Sequence, residues 1–320
     1  MPPLLEIRGL CTEFQLKSGV LKAVRGVDLT LSPGETLALV GESGCGKSIT
    51  AASVMRLVPP PGRIVAGSIR FKGEELLDLS EERMRDIRGN RIAMVFQDPM
   101  TSLNPVFTIG YQVAEGLRIH RALDRAAAER EAVAILSEVG IPSPRERIKD
   151  YPHQLSGGMR QRVMIAMALA CKPELVIADE PTTALDVTIQ AQILELLDRL
   201  MSENSMGLVL ITHNLGIVAE RAHRTAIMYA GEIVESAPTA ELFAHQLHPY
   251  TRGLLASLPE SGRPGEKLAT FAGSVPDLRG ELSGCPFFER CPIGDERCKG
   301  EKAGMTEAAP GHLVRCLKWR

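Results

Sequence analysis

The sequence contains no hydrophobic stretch long enough to cross a membrane. Its longest apolar run, residues 163–171, has nine residues, whereas a membrane-spanning helix needs about 20. The N-terminus, MPPLLEIRGL, also lacks the basic start and the long apolar segment of a secretory signal peptide. We therefore expect the chain to stay in the cytosol and to reach a membrane only through partner proteins.

The sequence also lacks an excess of charge of either sign. Its 37 Lys and Arg residues are balanced by 39 Asp and Glu residues, which gives a net charge of −2. The broad basic field with which many proteins attract nucleic acid is therefore missing, and we expect no nucleic-acid partner. Internal repeats, long low-complexity tracts and sustained heptads are missing as well, which argues against a long coiled coil.

What is present is the alternation of strands and helices that is typical of an α/β protein. Short β-rich runs between glycine turns predict strands at residues 4–10, 36–40, 68–72 and 92–96. A run rich in alanine and glutamate predicts an amphipathic helix at 124–139. Two further apolar runs, 175–178 and 208–212, flank a helical stripe that extends from Ile189 to Leu200. Strand, helix and strand in this order predict a βαβ unit in a parallel sheet.

A glycine-rich motif follows the strand predicted at 36–40. It reads GESGCGKS and matches the pattern G-x-x-x-x-G-K-[ST], with a helical stretch after it. The glycines let backbone N–H groups approach phosphates closely, and a helix N-terminus adds a favourable dipole. Lys47 is expected to reach the β- and γ-phosphates and Ser48 to bind Mg²⁺. The predicted ATP-binding loop consists of Gly41, Glu42, Ser43, Gly44, Cys45, Gly46, Lys47 and Ser48.

Cys45 lies inside this loop and allows two interpretations. It is either a small residue at a position that tolerates many side chains, or a reactive thiol. In the second case the helix N-terminus lowers the thiol pKa and opens the sulfur to oxidation or alkylation.

An acidic pair ends the apolar run at 175–178. Asp179 at the end of a buried strand can place its carboxylate on the Mg²⁺ shell. Glu180, one residue further, can act as the general base that polarises the attacking water. An Asp-Glu pair alone is usually a solvated turn, but after a buried strand in a P-loop protein it is predicted to be catalytic.

With these motifs in this order, the sequence resembles the ATP-binding-cassette (ABC) ATPases over about residues 4–236. The sequence LSGGM at 155–159 looks like the family's signature motif. The resemblance implies that three signature residues contact the ATP bound to the other subunit: Ser156, Gly157 and Gly158. It also implies that Phe14 stacks on adenine and that Gln97 senses Mg²⁺ and contacts the transmembrane partner. Asp186 is implied to contact the other subunit of the dimer, and His213 to contact the γ-phosphate.

The resemblance implies a P-loop (RecA-like) α/β core with an antiparallel β lobe and a helical lobe. It also implies that Glu180 and His213 are catalytic and that Ser48, Gln97 and Asp179 complete the Mg²⁺ shell. Asp186 belongs to the segment Ala184–Leu185–Asp186, which resembles the family's dimer-contacting loop. The signature departs from the commoner pattern, since Met159 stands where the family more often has Gln. Its side chain cannot donate a hydrogen bond, but we expect both ATP sites to remain competent.

Two further segments resemble the oligopeptide/dipeptide importer ATPases within this family. The sequence LHPYT at 247–251 looks like the start of that subgroup's C-terminal extension, and FQDPMTSLNP at 96–105 looks like its glutamine loop. Importers of nickel, glutathione and oligosaccharides use similar ATPases. The substrate class therefore follows from analogy, because a fold does not fix a substrate.

Four of the seven cysteines lie near the C-terminus: Cys285, Cys291, Cys298 and Cys316. Four thiolates suit tetrahedral Zn²⁺ or an iron–sulfur cluster. The spacing matches neither the tight cysteine pairs of common zinc sites nor the common ferredoxin patterns. The resemblance favours a 4Fe–4S cluster, because some peptide-importer ATPases carry one here. Zinc and four cysteines without a metal stay open as alternatives.

The sequence thus predicts an ABC nucleotide-binding domain at 4–256 and an extension with a four-cysteine metal site at 257–320. The chain is expected to hydrolyse ATP with Mg²⁺ at the cytoplasmic face of the membrane, as a peripheral subunit. The implied partners are a second homologous ATPase, two transmembrane permease subunits and, indirectly, an extracytoplasmic substrate-binding protein. A heterodimer is preferred to a homodimer. The alternatives are a soluble non-transport cassette, a subunit of a phosphonate-processing complex and a catalytically idle subunit.

Overall fold

The computed structural model describes residues 2–183, 185–257, 273–280 and 282–320. The chain divides into two compact units, of which the first comprises Met1–Leu31, Glu35–Leu77 and Ile211–Arg320, and the second Ser32–Gly34 and Asp78–Leu210. Residues 259–284 are rich in Pro, Gly, Ser and charge, which predicts a loop-rich linker, and most of them lie outside the described residues. The predicted division into 4–256 and 257–320 stays a prediction.

The secondary structure alternates strands with helices along the chain. The strands are β1 (Leu5–Leu16), β2 (Gly19–Leu31), β3 (Thr36–Val40), β4 (Gly62–Phe71), β5 (Glu74–Glu75), β6 (Ile92–Val95), β7 (Leu175–Asp179), β8 (Gly207–Ile211), β9 (Arg224–Tyr229), β10 (Glu232–Pro238), β11 (Thr306–Ala309) and β12 (His312–Val314). The helices are α1 (Lys47–Val54), α2 (Glu81–Ile87), α3 (Pro99–Ser102), α4 (Ile109–His120), α5 (Arg125–Glu138), α6 (Pro144–Arg147), α7 (Gly157–Leu169), α8 (Val187–Asn204), α9 (Leu215–Arg221), α10 (Thr239–Ala244), α11 (Pro249–Ala256) and α12 (Glu296–Gly300). Short 3-10 helices lie at Pro152–Gln154 and Phe288–Arg290.

The first unit contains an antiparallel sheet in the order β2-β1-β4-β5. Leu5 at the start of β1 lies opposite Leu31 of β2 and Phe71 of β4. All three side chains are buried, and so is Ile7, because alternate residues of a half-buried strand face the core. Leu10 is buried as well, after an irregularity that shifts the register between Ile7 and Leu10. This sheet confirms the predicted antiparallel β lobe.

The other strands of the first unit follow one another in the order β11-β12-β10-β9-β3. β3 runs parallel to β9, with Val40 opposite Ile227. The core beside these strands contains three fully buried aromatic residues, Tyr229, Tyr250 and Phe287. Phe287 comes from the C-terminal part of the chain that carries four cysteines, here called the cysteine-bearing segment (residues 273–280 and 282–320), so that segment contributes to the core of the first unit.

In the second unit, β6 runs parallel to β7 and β8 lies next to β7. The chain passes from β7 through α8 to β8, as the apolar runs predict. All five residues of β7 are buried, as are all five residues of β8. The helix predicted at 124–139 is α5, and its flanking residue Asp124 accepts a hydrogen bond from the backbone N–H of Ala127 at 2.8 Å. Carboxylates stabilise helix N-termini in this way.

Among the helices that the structure describes, none combines the length and the apolar composition that crossing a bilayer requires.

Candidate nucleotide-binding site

The glycine-rich loop connects β3 to α1 in the first unit, as the motif predicts. Gly46 has a φ of 110°, a conformation that costs a side-chain-bearing residue energy. Cβ atoms added at Gly41 or Gly46 would collide with the backbone oxygens of Met228 and Ala23, respectively. The motif glycines are therefore required by close packing inside the first unit, while Ser43, Gly44 and Ser48 are exposed.

Lys47 is held inside the curve of the loop. Its ammonium donates hydrogen bonds to the backbone oxygens of Gly41 at 2.8 Å and Glu42 at 3.0 Å, and the residue is only 5% exposed. A lysine fixed above a glycine-rich loop at a helix N-terminus is the arrangement that binds the phosphates of a nucleoside triphosphate. The residues present therefore fit ATP, whereas the contact of Ser48 with a Mg²⁺ ion bound with it stays a prediction.

Cys45 is fully buried beneath the loop. Burial raises the pKa of its thiol, and the ammonium of Lys47, 3.6 Å from the sulfur, only partly opposes this effect. The hypothesis of an acidified, reactive thiol is therefore wrong, since a thiol needs a lowered pKa and access to be reactive. Cys45 serves as a small apolar residue in a tight turn.

Phe14 and His213 also belong to the first unit. The ring of Phe14 covers Gly62 on β4, where an added Cβ would approach the ring to 2.6 Å. Thr12 lies two residues before Phe14 on β1, and its hydroxyl is 2.9 Å from the hydroxyl of Ser53 on α1. His213 is exposed, and the N–H of its neighbour Thr212 donates to the oxygen of Leu39, on the strand that enters the loop, at 3.4 Å. Their contacts with adenine and γ-phosphate stay predictions.

The second unit brings together Gln97 and Glu180. Parallel pairing places Val95 of β6 opposite Ala178 of β7, so the residues that follow the two strands emerge at the same edge. The amide of Gln97 donates to the Glu180 carboxylate at 3.0 Å, and the hydroxyl of Thr183 donates to the same carboxylate oxygen at 2.8 Å.

Glu180 has a left-handed backbone with a φ of 46°. Such a conformation costs a non-glycine residue energy and clusters at functional sites. Asp179, which precedes it, is 5% exposed. A buried aspartate followed by a strained glutamate whose carboxylate is fixed by two side chains is suited to positioning a metal ion and a water molecule. The contact of Thr183 with Glu180 is one that the sequence motifs did not reveal.

The signature residues begin α7 in the second unit. Ser156 caps the helix, and its hydroxyl accepts from the N–H of Met159 at 3.4 Å. A Cβ at Gly158 would approach Ile189 to 2.8 Å. Asp186 caps α8 by accepting from the N–H of Ile189 at 3.0 Å, which gives it a local structural role. Ala184, in the same predicted segment, lies outside the described residues.

The HPY sequence has a clear structural role in the first unit. His248 caps α11, with its Nδ1 accepting from the N–H of Tyr250 at 3.1 Å, and Pro249 begins the helix. The hydroxyl of Tyr250 in turn accepts from the N–H of Glu42, in the glycine-rich loop, at 2.9 Å. Burial lowers the pKa of His248 to about 3 and raises that of Tyr250. The motif that marks the subgroup in sequence therefore supports the loop.

The four C-terminal cysteines are neighbours. Each of Cys291, Cys298 and Cys316 adds to the rise in the pKa of the Cys285 thiol, whose first cause is burial and which reaches about 11. The N–H of Cys285 donates to the oxygen of Cys298 at 2.7 Å. Among the described residues, however, no three His, Cys, Asp or Glu side chains form a group that could hold a metal ion. The structure therefore does not show the metal site expected here.

Comparison with known proteins places these features in a family. The model of the ABC transporter family matches residues 24–183, and that of the oligopeptide/dipeptide transporter C-terminal region matches 234–298. A Brucella melitensis ATP-binding protein named for peptide import is 53% identical, over 99% of this chain and 98% of its own length. The dipeptide transport ATP-binding protein DppD of Escherichia coli is 46% identical, over 98% and 96%.

A solved structure has the same architecture. The ATP-binding cassette MJ0796, in a dimeric post-hydrolysis state bound to ADP and phosphate, superposes with a TM-score of 0.66 at 26% identity. The superposition covers 73% of this chain and 98% of that one. ABC ATPases work with ATP and Mg²⁺, which the loop at 41–48 fits. This chain belongs to the ABC transporter family of ATPases, in the subgroup that carries the oligopeptide/dipeptide transporter C-terminal region.

Proposed function

We propose that this chain is the ATP-hydrolysing subunit of a membrane importer for dipeptides or oligopeptides. The observation that carries the proposal is that relatives named for peptide and dipeptide transport match it over nearly its whole length, the C-terminal region included. The support of the glycine-rich loop by Tyr250 gives that region a physical part in the same machinery.

The residues divide the work of hydrolysis as follows. Lys47 binds the β- and γ-phosphates, Phe14 stacks on adenine, and His213 contacts the γ-phosphate. Ser48, Gln97 and Asp179 complete the Mg²⁺ shell, directly or through water. Glu180 orients the attacking water and accepts its proton. A Mg²⁺ ion bound with ATP at Ser48, Gln97 and Asp179 would supply charge neutralisation at the transferred phosphate.

The signature residues and Asp186 act on a partner subunit. In this proposal Ser156, Gly157 and Gly158 present backbone N–H groups to ATP bound by the other ATPase, since a long helix begins there. The partner is a second homologous ATPase in a heterodimer. Two permease subunits bind this pair at the cytoplasmic face of the membrane and receive substrate from an extracytoplasmic binding protein.

The four C-terminal cysteines are proposed to hold a 4Fe–4S cluster. The thiols of Cys285, Cys291, Cys298 and Cys316 act on one another electrostatically, although among the described residues they do not form a group placed to hold a metal ion. The support for a 4Fe–4S cluster is the resemblance to peptide-importer ATPases, some of which carry one here, together with the match to the oligopeptide/dipeptide transporter C-terminal region over 234–298. Such a cluster would stabilise the fold of a segment that has little regular secondary structure.

Transport itself is the decisive test of the substrate class. A strain without the gene would be compared for uptake of labelled dipeptide, labelled tetrapeptide and ⁶³Ni²⁺, before and after complementation with wild type or with Glu180→Gln. We expect peptide uptake to be lost, restored by wild type and not by the variant. Unchanged peptide uptake together with lost nickel uptake would contradict the proposal and favour the nickel importer.

A further inference from the structure

An ion pair between a buried arginine and a partly exposed glutamate joins the cysteine-bearing segment to the glycine-rich loop. The guanidinium of Arg290 donates to both carboxylate oxygens of Glu42, each at 2.9 Å. Both residues belong to the first unit, although 248 positions separate them in sequence. Bidentate pairs between arginine and carboxylate are among the strongest and most directional polar contacts in proteins.

The side chain of Arg290 has little freedom to leave this position. It is only 6% exposed, and its guanidinium lies 5.7 Å from the ring centre of Tyr229 and 5.8 Å from that of Phe287. It also donates to the Tyr229 hydroxyl at 3.2 Å. Cation–π contacts of this kind favour a fixed cation. Arg290 directly precedes Cys291 and ends the 3-10 helix Phe288–Arg290, so its position depends on the fold of the cysteine-bearing segment.

Glu42 is therefore held at both its backbone and its side chain. Its N–H donates to the hydroxyl of Tyr250, and its carboxylate binds Arg290. Tyr229, Tyr250 and Phe287, which support the two contacts, pack on one another with ring centres 4.6 to 5.4 Å apart. The second residue of the glycine-rich loop is thus anchored on a rigid aromatic cluster.

The charge of Glu42 needs this partner. Glu42 is the second of the eight residues that wrap the phosphates of ATP in the proposed function. An unpaired carboxylate there would repel the polyphosphate, because like charges disfavour each other strongly where water is scarce. Arg290 neutralises the carboxylate and fixes its direction without occupying the loop.

We propose that Arg290 is a positioning residue for ATP: the cysteine-bearing segment uses it to neutralise Glu42 and to hold the glycine-rich loop ready for the phosphates. This inference rests on the proposed ATP-binding role of residues 41–48. It adds to that role a nucleotide-affinity function for the C-terminal segment, which acts through the loop and does not touch the nucleotide.

The test measures the dissociation constant of ATP by isothermal titration calorimetry on the purified full chain. Arg290→Met removes the charge and keeps much of the apolar stem, and we expect about 10-fold weaker ATP binding, as for the loss of one charged hydrogen-bonded pair. Arg290→Lys keeps the charge but loses the bidentate fork, and we expect ATP binding about 3-fold weaker than in wild type.

Arg279→Met is the matched control, because Arg279 pairs with Asp277 on the surface of the same segment and its loss should leave ATP binding unchanged.

A double variant separates positioning from mere stabilisation of the segment. Glu42→Gln added to Arg290→Met removes the unpaired carboxylate, so ATP binding should recover to within about 3-fold of wild type. Loss of the segment's packing would not be rescued by a change in the loop. The unfolding midpoint and the iron and zinc content of each variant show whether the segment is intact.

Two results would overturn the inference. One is wild-type ATP affinity in Arg290→Met, and the other is no recovery on adding Glu42→Gln. Should Arg290→Met fail to fold, Arg290→Lys provides the same reading, with wild-type affinity counting against the proposal. Lys47→Ala tests the underlying role of the loop: unchanged ATP binding in that variant would contradict the proposed function itself, whereas its loss together with an inert Arg290→Met would contradict this inference alone.

Discussion

Two glutamates, one in each unit, are fixed by opposite means. Glu42 is bound by the buried cation Arg290 through two bonds of 2.9 Å. Glu180 is bound by an amide and a hydroxyl, from Gln97 and Thr183, on a left-handed backbone. An arginine holds a carboxylate by its charge as well as by two directional hydrogen bonds, whereas an amide and a hydroxyl contribute hydrogen bonds without a charge. The comparison fits the roles proposed above, in which Glu42 supports the loop and Glu180 acts as the base.

The largest effect is expected from Glu180→Gln, which removes the carboxylate proposed as the base in the second unit. Glu180→Gln keeps the shape of the side chain but cannot accept a proton, so ATP turnover should fall by about 10²- to 10⁴-fold. ATP should still bind and accumulate in a closed dimer, visible by size-exclusion chromatography with light scattering. Glu129→Gln, on the exposed side of α5, is the control, and unchanged turnover in Glu180→Gln would remove the base from the account.

Weakening the support of Glu42 in the first unit should have the next largest effect. Tyr250→Phe removes the hydroxyl that accepts from the Glu42 N–H, and we expect the free energy of unfolding to fall by about 1 to 3 kcal/mol. Urea denaturation measures it. Tyr111→Phe, at an exposed tyrosine, should behave as wild type, and an equal loss in both variants would show that the hydroxyl of Tyr250 is not specific to the loop.

His248, which caps the helix that contains Tyr250, makes this support sensitive to acid. Burial lowers the pKa of His248 to about 3, below the ordinary value near 6.5, so the unfolded chain binds the extra proton first. The stability due to neutral His248 is therefore complete above about pH 6.5 and is lost as the pH falls from there towards 3, by up to about 1.4 kcal/mol per pH unit.

His248→Asn should retain the helix cap and remove the titration. We expect the urea midpoint of wild type to fall more steeply between pH 6.5 and 5 than that of the variant. Parallel pH profiles for the two proteins would show that His248 does not titrate in this way.

The smallest effect concerns the orientation of Glu180. Thr183→Ala removes the hydroxyl that donates to its carboxylate, and the loss of one hydrogen bond, about 1 kcal/mol, should lower kcat about 5-fold without changing the KM for ATP. Thr183→Ser should restore kcat because it keeps the hydroxyl. A changed KM with an unchanged kcat would place Thr183 in binding instead.

Local patterns sufficed to predict much of the fold. The strand expected at 36–40 is β3, residue for residue, and the helix expected at 124–139 is α5 with its two flanking residues. Each signal lies within a few residues: an apolar run before glycines in one case, and an aspartate cap before a periodic stripe in the other. The pairing of β6 with β7 then brings Gln97 to Glu180.

Strand β10 shows why other parts escaped prediction. Its sequence, EIVESAP, reads as half polar, yet six of its seven residues are buried. Glu232 is paired with Arg25 and Lys302, and Glu235 with His312. These partners lie far away in sequence, and buried charges are tolerated only when paired. No local pattern contains that information.

The same reason hid the anchors of the glycine-rich loop. The sequence shows Tyr250 only as part of a short motif, and Arg290 as one of many basic residues. Their contacts with Glu42 depend on how the first unit folds. The loop itself was predictable because its glycines are required by backbone geometry. The side chains that support it could have come from several distant positions in the sequence, and no local pattern distinguishes among them.

The most direct test of the contrast between the two glutamates is to measure kcat at saturating ATP and the dissociation constant of ATP for Glu42→Gln and Glu180→Gln, side by side. We predict that Glu180→Gln loses turnover and keeps ATP binding, whereas Glu42→Gln keeps a kcat near that of wild type and changes at most in ATP affinity. Equal loss of kcat in both variants, or turnover that survives in Glu180→Gln, would contradict the account.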